Sequence, residues 1–89
     1  MSNWTVSFTK EALKQLAKLD RPIQLIISAW IEKHLVNTSD PRLFGKALTG
    51  NLKGLWRYRI GDYRIICDIK DNNLIIQIIE VGHRKEIYI

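Results

Sequence analysis

The chain has 89 residues, of which 46% are apolar, and a formal net charge of +5 from 14 Lys and Arg against 9 Asp and Glu. That length supports one modest core and excludes a second domain, so residues 1–89 read as a single unit. The lone cysteine, Cys67, excludes a disulfide framework within the chain, and no apolar run reaches membrane-spanning length.

The opening MSNWTVSFTKEA has no basic segment followed by an apolar one, so no signal peptide is expected and the expected location is cytoplasmic. Residues 4–8 alternate, with Trp4, Val6 and Phe8 on one side, which predicts a short strand. Thr9 is placed to cap a helix, and Glu11 favours its first turn. Ala12, Leu13, Leu16, Ala17 and Leu19 give that helix an apolar stripe. Asp20-Arg21-Pro22 ends it and opens another, with Asp20 as the expected cap. Ile23, Ile26, Ile27, Trp30, Ile31, His34 and Leu35 form the second stripe, so the helices should fold back on each other, with His34 structural. Residues 37–41 read as a loop. Residues 44–55 read as a connector with at most one short turn, given Gly45, Gly50 and Gly54. Trp56–Ile60 alternates, Gly61-Asp62 turns, and residues 63–69 run back. After a turn at Asp71-Asn72-Asn73, the apolar run 74–81 reads as the central strand, and a last short strand is expected to include Ile87 and Ile89. The expected fold class is α+β: an N-terminal strand and an antiparallel helical hairpin packed on one face of a largely antiparallel sheet.

The hairpin is the most informative segment. A two-residue loop at Gly61-Asp62 places Ile60 opposite Tyr63, Arg59 opposite Arg64, Tyr58 opposite Ile65 and Arg57 opposite Ile66. Partners share a face and neighbours alternate, so Trp56, Tyr58, Ile60, Tyr63, Ile65 and Cys67 should pack on the helices. Arg57, Arg59 and Arg64 then converge on the open face. Like charges directly opposite are destabilising, so such a face reads as an anion site as well as a solvated surface. Residues 42–64 hold six basic side chains (Arg42, Lys46, Lys53, Arg57, Arg59, Arg64) and one acid, Asp62. That excess draws a polyanion or an acidic protein. Two distant histidines and one cysteine lack metal-ligand spacing, and Gly45-Lys46 lacks a phosphate-loop pattern, so no metal or cofactor is expected.

The segments EALKQLAKL, GKALTGNLKGLWRYRIGDYRIICDI and VGHRKEIY resemble the RelE/ParE superfamily of bacterial type II toxin–antitoxin toxins, the RelE-like branch more than the ParE-like one. The resemblance covers nearly the whole chain. It implies a small α+β toxin that cleaves messenger RNA on the ribosome and is neutralised by a cognate antitoxin, with no membrane role and DNA contact only through that antitoxin. Carried over, Arg57 and Arg59 match the basic pair on the first hairpin strand. Arg64 matches the arginine after the turn's tyrosine, Arg84 a later arginine, and Tyr88 the tyrosine beyond it. Arg42, Lys46 and Lys53 become expected RNA contacts.

Two departures from the best-known member bear on mechanism. Arg57 and Arg59 stand where it has lysines, and arginine stays protonated, so it is a poor general base. The chain ends at Ile89 with no C-terminal helix, so inhibition is not expected to work by moving one. The implied reaction is metal-independent attack of the 2′-hydroxyl on the adjacent phosphorus. Arginines would stabilise the phosphorane, Tyr88 would orient the nucleotide, and His83 is a candidate base, although alternation points it away from Arg84. Two rival readings stay open: a ParE-like inhibitor of DNA gyrase, and a member that only binds RNA or antitoxin.

Overall fold

The computed structural model describes residues 3–86. The expected last strand at Ile87 and Ile89, and Tyr88, lie outside the described residues. Strand β1 (Thr5–Phe8) leads into α1 (Lys10–Ala17) and α2 (Arg21–His34). Then come β2 (Lys46–Ala47), a 3₁₀ turn (Gly50–Leu52), β3 (Trp56–Ile60), β4 (Tyr63–Lys70) and β5 (Ile75–His83). The sheet order is β1-β5-β4-β3-β2, antiparallel except for the parallel β1–β5 pair. The central strand is therefore β4, with β5 beside it, whereas the long apolar run of β5 had pointed to the middle position. Both strands are interior, which is why both are apolar. Among the described residues no helix is long and apolar enough to cross a membrane.

Each helix starts where its capping chemistry allows. The Thr9 hydroxyl accepts the Ala12 N–H at 3.1 Å, satisfying one of the free donors of the first turn. Asp20 holds the equivalent position before α2, but its side chain makes no capping bond. Pro22 lies in that first turn and removes one donor in need of a partner. The Gln24 side chain instead donates to the Leu19 and Ala17 carbonyls, closing the end of α1.

Helix α2 buries Ile27 and Ile31, and Leu35 follows at its end; with Trp4 and Ala12 they pack on Tyr58, Ile60, Ile65, Cys67, Ile76, Ile78 and Val81. The β3–β4 register pairs Arg59 with Arg64 and Tyr58 with Ile65, as the two-residue turn dictates. At Ile66/Cys67 the partners on β5 jump from Glu80 to Ile78, leaving Ile79 as the extra residue of a bulge. Strand β1 ends at Phe8, opposite Ile78. Beyond it, α1 covers the β5 edge, and Gln15 Oε1 accepts the Val81 N–H at 2.7 Å.

Residues 44–55 are more than a connector. Lys46–Ala47 pairs with Trp56 and Arg57 as an edge strand. Leu48, Leu52 and Leu55 then fold over the sheet face opposite the helices, where with Ile79 they enclose Ile66, which is 1% exposed. Among the described residues this segment covers the Ile66 part of the arginine-bearing face and leaves the end nearest the Gly61-Asp62 turn open.

Candidate nucleic-acid interface

Alternation along β3 and β4 puts Arg57, Arg59 and Arg64 on the face away from the main core, while Tyr58, Ile60 and Ile65 are buried against the helices. The opposed Arg59 and Arg64 are held together by the turn itself. Gly61 takes a positive φ of 59°, as the first central residue of a tight hairpin turn does, and its carbonyl accepts from both guanidinium groups. The distances are 3.4 Å from Arg59 Nε and 3.0 Å from Arg64 Nη1, and Arg64 also donates to the Tyr63 carbonyl at 3.1 Å. One backbone oxygen therefore fixes two like charges side by side with donors to spare.

Arg84 joins them from the end of β5. Its backbone N–H donates to the Asp62 carbonyl at 2.8 Å, and its Nε lies 3.6 Å from the Asp62 carboxylate. Partial desolvation, then the charges of Arg59, Arg57 and Arg84, lower the pKa of Arg64 below the ordinary arginine value, with Asp62 acting in the opposite sense. Arg57, Arg59 and Arg84 thus all act on Arg64 at the hairpin end. Such a cluster is stabilised by an anion that takes several forks at once.

The remaining expected residues divide. Lys46 pairs with Arg57 across β2–β3 and borders the open end. Lys53 closes the 3₁₀ turn within the covering segment. Arg42 sits at the opposite end of the sheet, where its guanidinium makes a two-pronged bond to Asp71 at 2.9 and 2.8 Å. His83 pairs with Tyr63 in the ladder and packs against its ring edge-on at 5.3 Å, on the other side of the sheet from Arg59 and Arg64. Its Nδ1 accepts the Lys85 N–H at 3.1 Å. The alternation that turns Arg64 outward turns His83 away from it.

Two features were missed in the sequence. A pocket of about 340 Å³ opens beside Arg57 and Arg59, lined also by Trp30, Phe44, Gly45 and Lys46. On the β5 edge, Glu11, Glu80 and Glu86 line a cleft with Gln15 and Lys18. Glutamates from three separate segments gave no local signal. Among the described residues no group of three or more His, Cys, Asp or Glu side chains is placed to hold a metal ion. Burial pushes the Cys67 thiol far up, so this fully covered side chain is inert in the folded protein.

Comparison with known proteins adds an independent line. Residues 6–88 match the sequence model of the family described as the ParE toxin of the type II toxin–antitoxin system parDE. The chain is 35% identical over 86 residues to Toxin RelG of Mycobacterium tuberculosis, covering 96% of this chain and 95% of that protein. It is 31% identical over 83 residues to Toxin RelE of the same organism, covering 93% and 84%. Its fold is similar to a chain of the Mycobacterium tuberculosis toxin–antitoxin complex RelBE2, with a TM-score of 0.85, 32% identity and 94% of each chain covered.

Proposed function

This chain belongs to the RelE/ParE family of type II toxin–antitoxin toxins, on its RelE-like branch, and from that membership we propose that it is a ribosome-dependent endoribonuclease that cuts messenger RNA. The observation that carries the reading is the cluster of Arg57, Arg59, Arg64 and Arg84 at the open end of the hairpin. In the proposed reaction the 2′-oxygen loses its proton and attacks the adjacent phosphorus. The bond from phosphorus to the 5′-oxygen breaks, and that oxygen takes a proton. The products are a 2′,3′-cyclic phosphate and a 5′-hydroxyl end. The phosphorane carries more negative charge than the starting diester, and fixed guanidinium forks aimed at it favour the transition state over the ground state. Tyr88 is assigned the orientation of the nucleotide by family resemblance. Among the described residues the His83 ring lies across the sheet from Arg59 and Arg64, so in this reading positioning on the ribosome carries a large share of the rate. An antitoxin of complementary charge is the proposed protein partner, as in the RelBE2 complex.

The matching family model is described as a ParE toxin, which favours a second reading, inhibition of DNA gyrase. One paired experiment separates them. The protein is added to programmed ribosomes and the message ends are mapped and their terminal groups identified; in parallel, gyrase supercoiling is measured. Cuts ending in 2′,3′-cyclic phosphate with supercoiling intact are expected. Intact message with blocked supercoiling would transfer the assignment to gyrase.

A further inference from the structure

The pocket beside Arg57 and Arg59 has the composition of a site for a base rather than for a phosphate. Arg57, Arg59 and Lys46 supply its charged rim, and Trp30 and Phe44 its aromatic wall. Its volume of about 340 Å³ lies within the range of small-molecule sites. The wall is held in place from behind. Trp30 meets His34 at 4.7 Å and Tyr58 at 5.5 Å between ring centres, and Phe44 meets His34 edge-on at 4.7 Å. The Phe44 carbonyl accepts the Trp56 indole N–H at 2.7 Å, which pins the loop to β3. Gly45, at φ 85°, lies so close to β3 that a Cβ there would fall 2.3 Å from the Arg57 carbonyl oxygen. The pocket wall is therefore braced, while Phe44 remains 37% exposed.

We propose that this pocket takes the nucleobase of a nucleotide next to the phosphate bound by the arginine cluster, stacked on the Phe44 ring, with Trp30, whose plane lies 71° from that of Phe44, closing the pocket edge-on. The inference rests on the RNA-cleaving reading and names the subsite that would give it base discrimination. Charge complementarity selects the occupant. A base entering here is covalently tied to phosphates, and the rim offers three cations to receive them. Base–aromatic stacking is tolerant of sequence, so the pocket sets position and a mild preference rather than a strict code.

The test uses an RNA trinucleotide with 2′-deoxy first and central residues, which blocks cleavage of both linkages, alongside the same molecule lacking the pocket base. Parent, Phe44→Leu and Trp30→Phe are compared by equilibrium binding, with melting curves confirming that each is folded. Phe44→Leu keeps an apolar wall but loses the ring face. Its affinity for the intact trinucleotide should fall roughly 5- to 150-fold, the range for one stacked base. Its affinity for the trinucleotide lacking the pocket base should match the parent's. Equal affinity of parent and Phe44→Leu for the intact trinucleotide would overturn the proposal. So would no detectable parent binding, or a Phe44→Leu defect confined to a purified antitoxin, which would make the pocket a protein site. Because binding is read without cleavage, a parent that binds in this way but leaves ribosome-bound message intact would remove the nuclease reading and keep the pocket.

Discussion

At the scale of single residues, the four clustered arginines differ in how they are held. Arg59 and Arg64 lean on the Gly61 carbonyl, whereas Arg84 hangs from Asp62 by its own backbone N–H and an exposed ion pair. The ion pair adds little, because both side chains are more than half exposed. The backbone bond fixes where the Arg84 side chain starts, and so ties the end of β5 to the hairpin turn. Arg84→Ala should slow single-turnover cleavage of ribosome-bound message roughly 100- to 1000-fold, the usual cost of one well-placed donor, without a matching loss of binding. Arg84→Lys should recover only part, since lysine keeps the charge and loses the planar fork. A bound Arg84→Ala complex that cuts at the parent rate would strike Arg84 from the catalytic set and shift the weight to Arg57, Arg59 and Arg64.

At the scale of elements, the hairpin was legible because two independent signals agree. Gly61-Asp62 fixes a two-residue turn, and strict alternation on both sides fixes the faces. The helices were legible from their stripes, from Thr9 and from Asp20 at the start of α2, while the missing Asp20 capping bond was not, because the proline in the first turn already removes one donor. Residues 44–55 were misread as a connector because they follow neither period. Their leucines at 48, 52 and 55 make sense only against Ile66 and Ile79, which the register places on the far face but whose cover is a long-range fact. The half-covered arginine face, and with it the pocket at its border, was hidden for the same reason. This small second core gives a checkable energy. Leu48 is 6% exposed, so Leu48→Ala should destabilise the protein by about 2–3 kcal/mol in denaturant titrations. Lys46→Ala, two residues earlier on the exposed edge strand, should cost less than about 0.5 kcal/mol. If Leu48→Ala were as mild as Lys46→Ala, the segment would not be packed on the sheet as described.

At the scale of the whole molecule, a net charge of +5 says less than its placement. The two ends of the β3–β4–β5 sheet carry arginines in different electrostatic states. At one end Arg42 is matched by Asp71, whose carboxyl pKa is lowered mainly by its hydrogen bond to that guanidinium. At the other, Arg57, Arg59 and Arg84 act on Arg64, and Asp62 is the acid in the turn among them. A polyanion should dock at the second end and ignore the first. Counterion release makes this countable: for single-stranded RNA, each phosphate contact contributes about 0.7 to the slope of log affinity against log salt. Arg59→Ala and Arg64→Ala should each lower the slope by about that amount. Arg42→Ala should leave it unchanged, because the paired guanidinium releases no counterion from RNA and removing it frees Asp71 far from the docking end. The measurement is the affinity of an uncleavable RNA over a salt series for the parent and the three variants. A slope reduced as much by Arg42→Ala as by Arg64→Ala would mean that the RNA runs the full length of the sheet, and the assignment of the hairpin end as the site would fail.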